Sequence, residues 1–139
     1  MKNILKAACV LVGVSFGTVA MAASGLPTVK IIWNTSMPSS PVSLGIYTGM
    51  PNCVTKTQPV TRTGSFLSQN LNNIPACAGA TSMQALILFK NGAYIACFHN
   101  NSAYPSNIPF NNAQNITVNV TNFTPISPGG SATCSVQYS

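Results

Sequence analysis

The sequence predicts an all-β domain, a small antiparallel β-sandwich of the immunoglobulin-like kind with about seven strands and two disulfides. Short runs in which apolar and polar residues alternate recur along the chain, and turn-rich stretches of Gly, Pro, Asn and Ser separate them. No segment carries a persuasive helical period. Strands at this spacing are typical of two-sheet sandwiches, and a small barrel is the main alternative.

Residues 1–22 have the features of a cleavable bacterial signal peptide. Lys2 and Lys6 give a short positive start, an apolar stretch follows, and Ala20-Met21-Ala22 is a small-x-small cleavage pattern. The apolar stretch is shorter than the roughly 20 residues needed to cross a bilayer. We therefore expect one exported domain over residues 23–139, with no membrane span after cleavage and a periplasmic or secreted location.

Four cysteines remain after cleavage: Cys53, Cys77, Cys97 and Cys134. An even number of cysteines in an exported domain predicts intramolecular disulfides, here two. Four cysteines allow three connectivities, and the sequence does not choose among them.

The chain contains no Asp and no Glu. Glycoside hydrolysis ordinarily needs two carboxylates, and a Ser-His-Asp triad needs one to orient its histidine. Calcium and magnesium sites also depend on carboxylate ligands. We therefore predict a protein that is not an enzyme and that holds no cofactor and no metal.

His99 is the only histidine, and it lies two residues from Cys97. A cysteine next to a histidine can form a nucleophilic dyad or contribute to a zinc site. Because Cys97 is expected to be in a disulfide, we predict neither.

The remaining cations, Lys30, Lys56, Arg62 and Lys90, lie far apart in the sequence. Duplex-binding proteins cluster their basic residues to neutralise several phosphates. We expect no nucleic-acid partner, and at most a weak attraction to anionic polymers of the envelope.

The clearest local pattern is Asn91-Gly92 between two apolar runs, which predicts a β-hairpin with a two-residue type I′ turn. That register places Leu88 opposite Ile95 and Leu86 opposite Cys97. Both faces of the hairpin are apolar, so it is expected to lie centrally in the fold.

Four further segments alternate as half-buried strands do. Their inward residues are Val29, Ile31 and Trp33; Val42, Leu44 and Ile46; Ile116, Val118 and Val120; and Cys134, Val136 and Tyr138. Pro59 marks an edge strand, because proline cannot donate to a ladder. The stretch from Ser65 to Asn73 is interpreted as a short turn of helix.

The loop from Asn100 to Asn115 is the best candidate for a contact surface. Tyr104 and Phe110 lie there among Asn, Ser and Pro residues, and their rings could stack on a sugar. The alternative is that such rings pin a long loop to the edge of the sheet. The expected partner is an unidentified protein or glycan at the cell surface.

The C-terminal sequence Val136-Gln137-Tyr138-Ser139, with its alternating apolar residues and penultimate tyrosine, resembles the C-terminal strand of chaperone–usher pilin subunits. The segment Leu26 to Trp33 likewise resembles a donor strand that completes a neighbour's sheet. The resemblance covers these two ends alone and implies self-association by strand addition.

The leading hypothesis is an exported, non-enzymatic β-sandwich protein that acts by binding or packing at the bacterial cell envelope or outside the cell. A fimbrial or fibre subunit assembled by β-strand addition is the first alternative. A carbohydrate-binding module is the second.

Overall fold

A computed structural model of the chain describes residues 25–53, 57–99, 107–125 and 130–139. The predicted signal peptide lies outside these residues, so its assignment stays a prediction. Within the described ranges, no helix has the length and apolar character needed to span a membrane.

The described residues form nine β-strands and two single-turn 3₁₀ helices, Leu71–Asn73 and Pro75–Cys77. The strands in chain order are β1 (Thr28–Trp33), β2 (Val42–Tyr47), β3 (Gln58–Pro59), β4 (Phe66–Asn70), β5 (Ser82–Phe89), β6 (Tyr94–His99), β7 (Ile108–Pro109), β8 (Asn115–Thr124) and β9 (Ser131–Tyr138).

Eight strands form one continuous sheet in the order β3-β2-β5-β6-β9-β8-β1-β4, and β7 pairs with β5. The sheet curves into a nearly closed barrel whose two end strands are β3 and β4. The all-β class is confirmed, and the sheet is a nearly closed barrel rather than clearly an immunoglobulin-like sandwich. One sheet forms because β6 pairs with both β5 and β9. The expected antiparallel pairing holds for most ladders, and the pairings of β6 with β9 and of β1 with β8 are parallel.

The barrel interior is filled by the inward-facing residues of the strands, which alternate with outward-facing residues along each strand. Val29, Ile31 and Trp33 of β1 are each 0% exposed, as the alternation predicted. The Trp33 ring meets the edge of Phe123, with 5.1 Å between the ring centroids. Phe123 faces inward because the β8–β9 ladder has a bulge after Val120, which shifts the alternation by one residue.

The hairpin between β5 and β6 is present, but its turn differs from the predicted one. Phe89 N donates to Ala93 O at 2.8 Å, and Gly92 N donates to Phe89 O at 2.9 Å. Within the loop only Gly92 has a positive φ, 84°. This is a three-residue loop, a type I turn followed by a glycine bulge, and the predicted type I′ turn was wrong.

The longer loop moves the ladder by one residue. Ile87 pairs with Ile95, and Leu88 pairs with Tyr94. A slip of one residue exchanges the two faces of a strand. Tyr94 therefore faces solvent, with 63% of its surface exposed.

The stretch interpreted as a turn of helix is instead strand β4 followed by the 3₁₀ turn at Leu71. β4 pairs with β1 in antiparallel orientation. This pairing gives hydrogen-bond partners to backbone groups that both strands would otherwise leave unpaired. Asn70 caps the 3₁₀ helix Leu71–Asn73, because its side-chain oxygen accepts from Asn72 N at 3.0 Å.

Both predicted disulfides form, and the structure gives their connectivity: Cys53–Cys77 and Cys97–Cys134. The second joins β6 to β9 where these strands pair in parallel. Its cysteines are 3% and 4% exposed and belong to the core. The first ties the turn at Cys53 to the 3₁₀ helix that ends at Cys77.

Candidate functional site

The barrel is open between its end strands. No ladder joins β3 and β4 within the described residues, and the chain passes from one to the other through residues 60–65. An open groove of about 390 Å³ lies along this gap. We call it the seam groove; its lining residues are Gln58, Pro59, Thr61, Arg62, Gly64, Ser65, Phe66 and Ser68.

Backbone hydrogen bonds tie both ends of the connecting loop to the barrel. Val60 N donates to Val42 O of β2 at 2.9 Å. At the other end, Gly64 N donates to Trp33 O at 2.6 Å and Trp33 N donates to Ser65 O at 2.8 Å. Because Trp33 and Val42 are core residues, the loop is anchored directly to the packed interior.

The loop is also folded on itself. The Ser65 hydroxyl oxygen accepts from Thr61 N at 3.3 Å and from Arg62 N at 3.1 Å. Ser65 N donates to Arg62 O at 3.0 Å. Gly64 supplies the left-handed backbone that this turn requires, with φ of 87°. The groove is therefore preformed, and little conformational entropy remains to be lost when a ligand binds.

Phe66 is the exposed aromatic ring of the groove wall. Pairing of β4 with β1 places Leu67 inward at 1% exposure and leaves Phe66 outward at 51%. The ammonium nitrogen of Lys30 lies over the Phe66 ring, 4.5 Å from its centroid, at a distance typical of a cation–π contact. Since Lys30 pairs with Ser68 on the same outward face, the charge lies beside the groove.

Arg62 adds a second cation to this region. It is exposed and lines the groove together with Phe66. Of the three lysine and arginine residues in the described ranges, Lys30 lies over the Phe66 ring and Arg62 lines the groove, while Lys90 lies in the β5–β6 turn. Because the sequence has no Asp or Glu, no side-chain carboxylate can neutralise either cation.

Hydroxyl and amide side chains continue outward from the groove across the barrel wall. On the row of Ser68 and Lys30, β8 contributes Thr117 and β9 contributes Gln137. These residues alternate with the buried core positions of their strands. A surface of donors and acceptors therefore extends from the groove over four neighbouring strands.

Of the two predicted contact residues, Phe110 lies in the part of the chain that the structure describes. Phe110 is 6% exposed and belongs to the core cluster, with its backbone N donating to Thr81 O at 2.9 Å. This burial is compatible with the alternative that the ring pins the loop to the sheet, and a contact role for Phe110 stays a prediction. Tyr104 lies outside the described residues, so its role stays a prediction.

Sequence reasoning missed Phe66 and Arg62 as site residues. Phe66 was assigned to a helical turn and Arg62 to a scattered set of cations. Phe66 and Leu67 are both apolar and Ser68 is polar, so these residues lack the alternation that would indicate a strand with an outward ring. Lys30 and Arg62 lie in one region because β1 pairs with β4. This pairing could not be predicted from the separation of the two residues in the sequence.

The Cys97 thiol is not available for nucleophilic chemistry because it is bonded to Cys134. Within the described residues, no group of three His, Cys, Asp or Glu side chains is placed to hold a metal ion. The chemistry that the seam groove offers is hydrogen bonding, contact with an aromatic ring and attraction of negative charge.

The sequence matches no protein-family model. It also matches none of the curated proteins. Among solved structures, the chain is similar to a protein from Eubacterium rectale determined by NMR, with 7% sequence identity and a TM-score of 0.41. That likeness covers 86% of this chain and 96% of the other. At this TM-score it carries no argument about fold or function.

Proposed function

We propose that this chain is an exported, non-enzymatic protein that binds carbohydrate through the seam groove, at the bacterial cell envelope or outside the cell. The observation that carries the proposal is the exposed Phe66 ring on the wall of a preformed groove whose other residues are mostly hydroxyl, amide and cationic. This combination suits a molecule with both an apolar face and many hydroxyl groups.

A sugar ring has those two kinds of surface. Its C–H groups pack on an aromatic ring, while its hydroxyls both donate and accept hydrogen bonds. Gln58 and Ser68 offer donors and acceptors on the two strands that border the groove. The volume of about 390 Å³ falls within the range common for small-molecule sites.

Two observations support the non-enzymatic and exported parts of the proposal. The lack of Asp and Glu leaves the groove without the carboxylates that hydrolysis of a sugar polymer ordinarily requires. The two disulfides are compatible with an oxidising compartment, which agrees with the expected signal peptide.

The pairing of the two segments that resemble pilin strands bears on the fibre-subunit alternative. β1, which contains most of the segment resembling a donor strand, lies between β4 and β8 of its own chain. β9 lies between β8 and β6. Both segments are therefore used within the same chain, which favours a self-contained domain over strand addition. A monomer in size-exclusion chromatography is the expected result, and polymers would favour the fibre subunit.

The test of carbohydrate binding is titration of the full chain, exported with its own N-terminal segment and with both disulfides formed, against neutral and acidic oligosaccharides. Phe66→Ser is expected to weaken binding about tenfold, equivalent to ~1.4 kcal/mol. The matched control is Tyr94→Ser, because Tyr94 is an exposed ring on a different strand, at 63% exposure. Equal losses in the two variants, or no binding to any sugar, would contradict the proposal.

A further inference from the structure

The seam groove combines its aromatic ring with positive charge that has no side-chain carboxylate to pair with. Lys30 lies over one face of Phe66, and Arg62 lines the same groove. In a protein of ordinary composition, surface cations are usually interspersed with acidic residues. Here the sequence contains none.

We propose that the ligand of the seam groove is an acidic polysaccharide whose sugar rings carry carboxylates, such as a uronic acid polymer. This inference rests on the proposed function and names the class of carbohydrate. The Arg62 guanidinium provides a planar, two-pronged donor that matches a carboxylate. The Lys30 ammonium provides a second positive charge beside the ring.

A polymer fits the surface better than an isolated acidic sugar does. The groove is open, and the row of Ser68, Lys30, Thr117 and Gln137 continues from it across four strands. Further sugar units of a chain lying on this row would meet hydroxyl and amide groups. Two cations at one groove are too few for the phosphate stripe of a duplex-binding protein.

The experiment compares polygalacturonate with the same polymer after methyl esterification, which keeps the sugar rings and removes the charge. The full chain, with both disulfides formed, is titrated with each polymer. Binding to polygalacturonate is expected to be at least about tenfold tighter than to the ester, and to weaken as salt is raised from low to physiological concentration.

Two variants that each remove one positive charge locate the site. Arg62→Gln is expected to weaken binding of polygalacturonate about tenfold, as loss of a charge-assisted hydrogen bond does. Lys90→Gln is the matched control, since Lys90 is exposed in the β5–β6 turn away from the groove, and it is expected to leave binding unchanged. Equal losses would show general attraction by net charge and would overturn the inference.

The remaining outcomes separate this inference from the proposed function. Phe66-dependent binding of neutral sugars, with no preference for polygalacturonate over its ester, would overturn the acidic ligand and leave carbohydrate binding in place. No binding to any sugar would overturn both. Single-stranded DNA that binds as tightly as polygalacturonate, with the same loss in Arg62→Gln, would show a site for polyanions and overturn selection for a polysaccharide.

Discussion

The barrel is closed where β6 meets β9 and open where β3 faces β4, and different interactions hold these two places. At the closed join, a parallel ladder is crossed by the Cys97–Cys134 disulfide, and both cysteines are buried in the core. At the open seam, no ladder forms within the described residues, and the loop of residues 60–65 connects the strands through hydrogen bonds to β1 and β2. We therefore expect the join to contribute more to stability than the seam does, and the proposed ligand-binding groups lie at the seam.

Pro59 helps to explain why the seam stays open. β3 has only two residues, Gln58 and Pro59, and a proline has no backbone N–H to give to a neighbouring strand. Across the gap, β4 has five residues and pairs with β1 on its other side. The short proline-containing edge therefore limits pairing between the two end strands, and the gap is left as a groove.

The largest expected effect comes from removing the disulfide of the closed join. In the double variant Cys97→Ala/Cys134→Ala, loss of a cross-link between residues 37 apart is expected to cost roughly 4 kcal/mol by the chain-entropy model. The same model gives roughly 3.5 kcal/mol for Cys53→Ala/Cys77→Ala, whose cysteines are 24 apart. Both cysteines of Cys97–Cys134 are buried, whereas Cys53 of the other bridge is only partly buried, so loss of buried contacts should make the difference exceed what loop length predicts.

The measurement is the urea midpoint of each double variant against the unchanged protein. A larger loss in Cys53→Ala/Cys77→Ala would mean that the closed join is not the main source of stability. Carbohydrate binding at temperatures where both variants remain folded should be retained, because neither bridge contributes a residue to the seam groove.

The strands, their buried faces and the number of bridges could be predicted from the sequence. The alternation of Val29, Ile31 and Trp33 identified a strand and its buried face, and the even number of cysteines predicted two bridges. Such patterns depend on local periodicity and on composition, which one sequence displays. The connectivity of Cys97 with Cys134 depends on which strands are neighbours, and local periodicity carries no information about that.

The open side was harder to predict for the same reason. The edge strand at Pro59 was expected, but the groove beside it exists because β3 and β4 are the two ends of the sheet. The hairpin shows a smaller error of the same type. Asn91-Gly92 marked the turn correctly, yet a loop of two residues and a loop of three are both compatible with it, and the choice between them reverses the faces of β6.

A second prediction compares glycines on the two sides. Gly64 in the seam loop and Gly92 in the β5–β6 turn have φ of 87° and 84°. Among the described residues, a Cβ added at either would meet no atom within 4 Å. Gly64→Ala and Gly92→Ala should therefore each cost about 1 kcal/mol of stability, from backbone strain alone.

The two substitutions should differ in their effect on binding. Gly64 lines the seam groove and holds the turn that positions Arg62, whereas Gly92 lies in the turn after β5. Chemical denaturation measures the matched stability loss, and titration with polygalacturonate measures affinity. Weaker binding in Gly64→Ala alone is expected, and equal affinities would indicate that the loop conformation does not define the site.

The smallest expected effect lies at the end of β9, the strand of the closed join. Burial raises the pKa of the Tyr138 phenol above its ordinary value of 10.0, because the charged phenolate loses hydration there. The folded state therefore favours the protonated phenol. The resulting stability is fully present below the unfolded pKa of 10.0 and is lost as pH rises through the higher folded pKa. Tyr138 remains 40% exposed, so the loss should be slight.

Tyr138→Phe removes this titration and keeps the ring beside Ile116, its partner on β8. Above pH 10.0, only the unchanged protein loses this contribution to stability. If the unchanged protein is the more stable at neutral pH, the urea midpoints of the two proteins should therefore move slightly closer together in alkaline solution. The difference between the two curves isolates Tyr138 from the other tyrosines. If the difference in urea midpoint between the two proteins is the same at neutral and alkaline pH, the end of β9 is too exposed to water to raise the pKa of the Tyr138 phenol. The tightly packed part of β9 would then end before Tyr138.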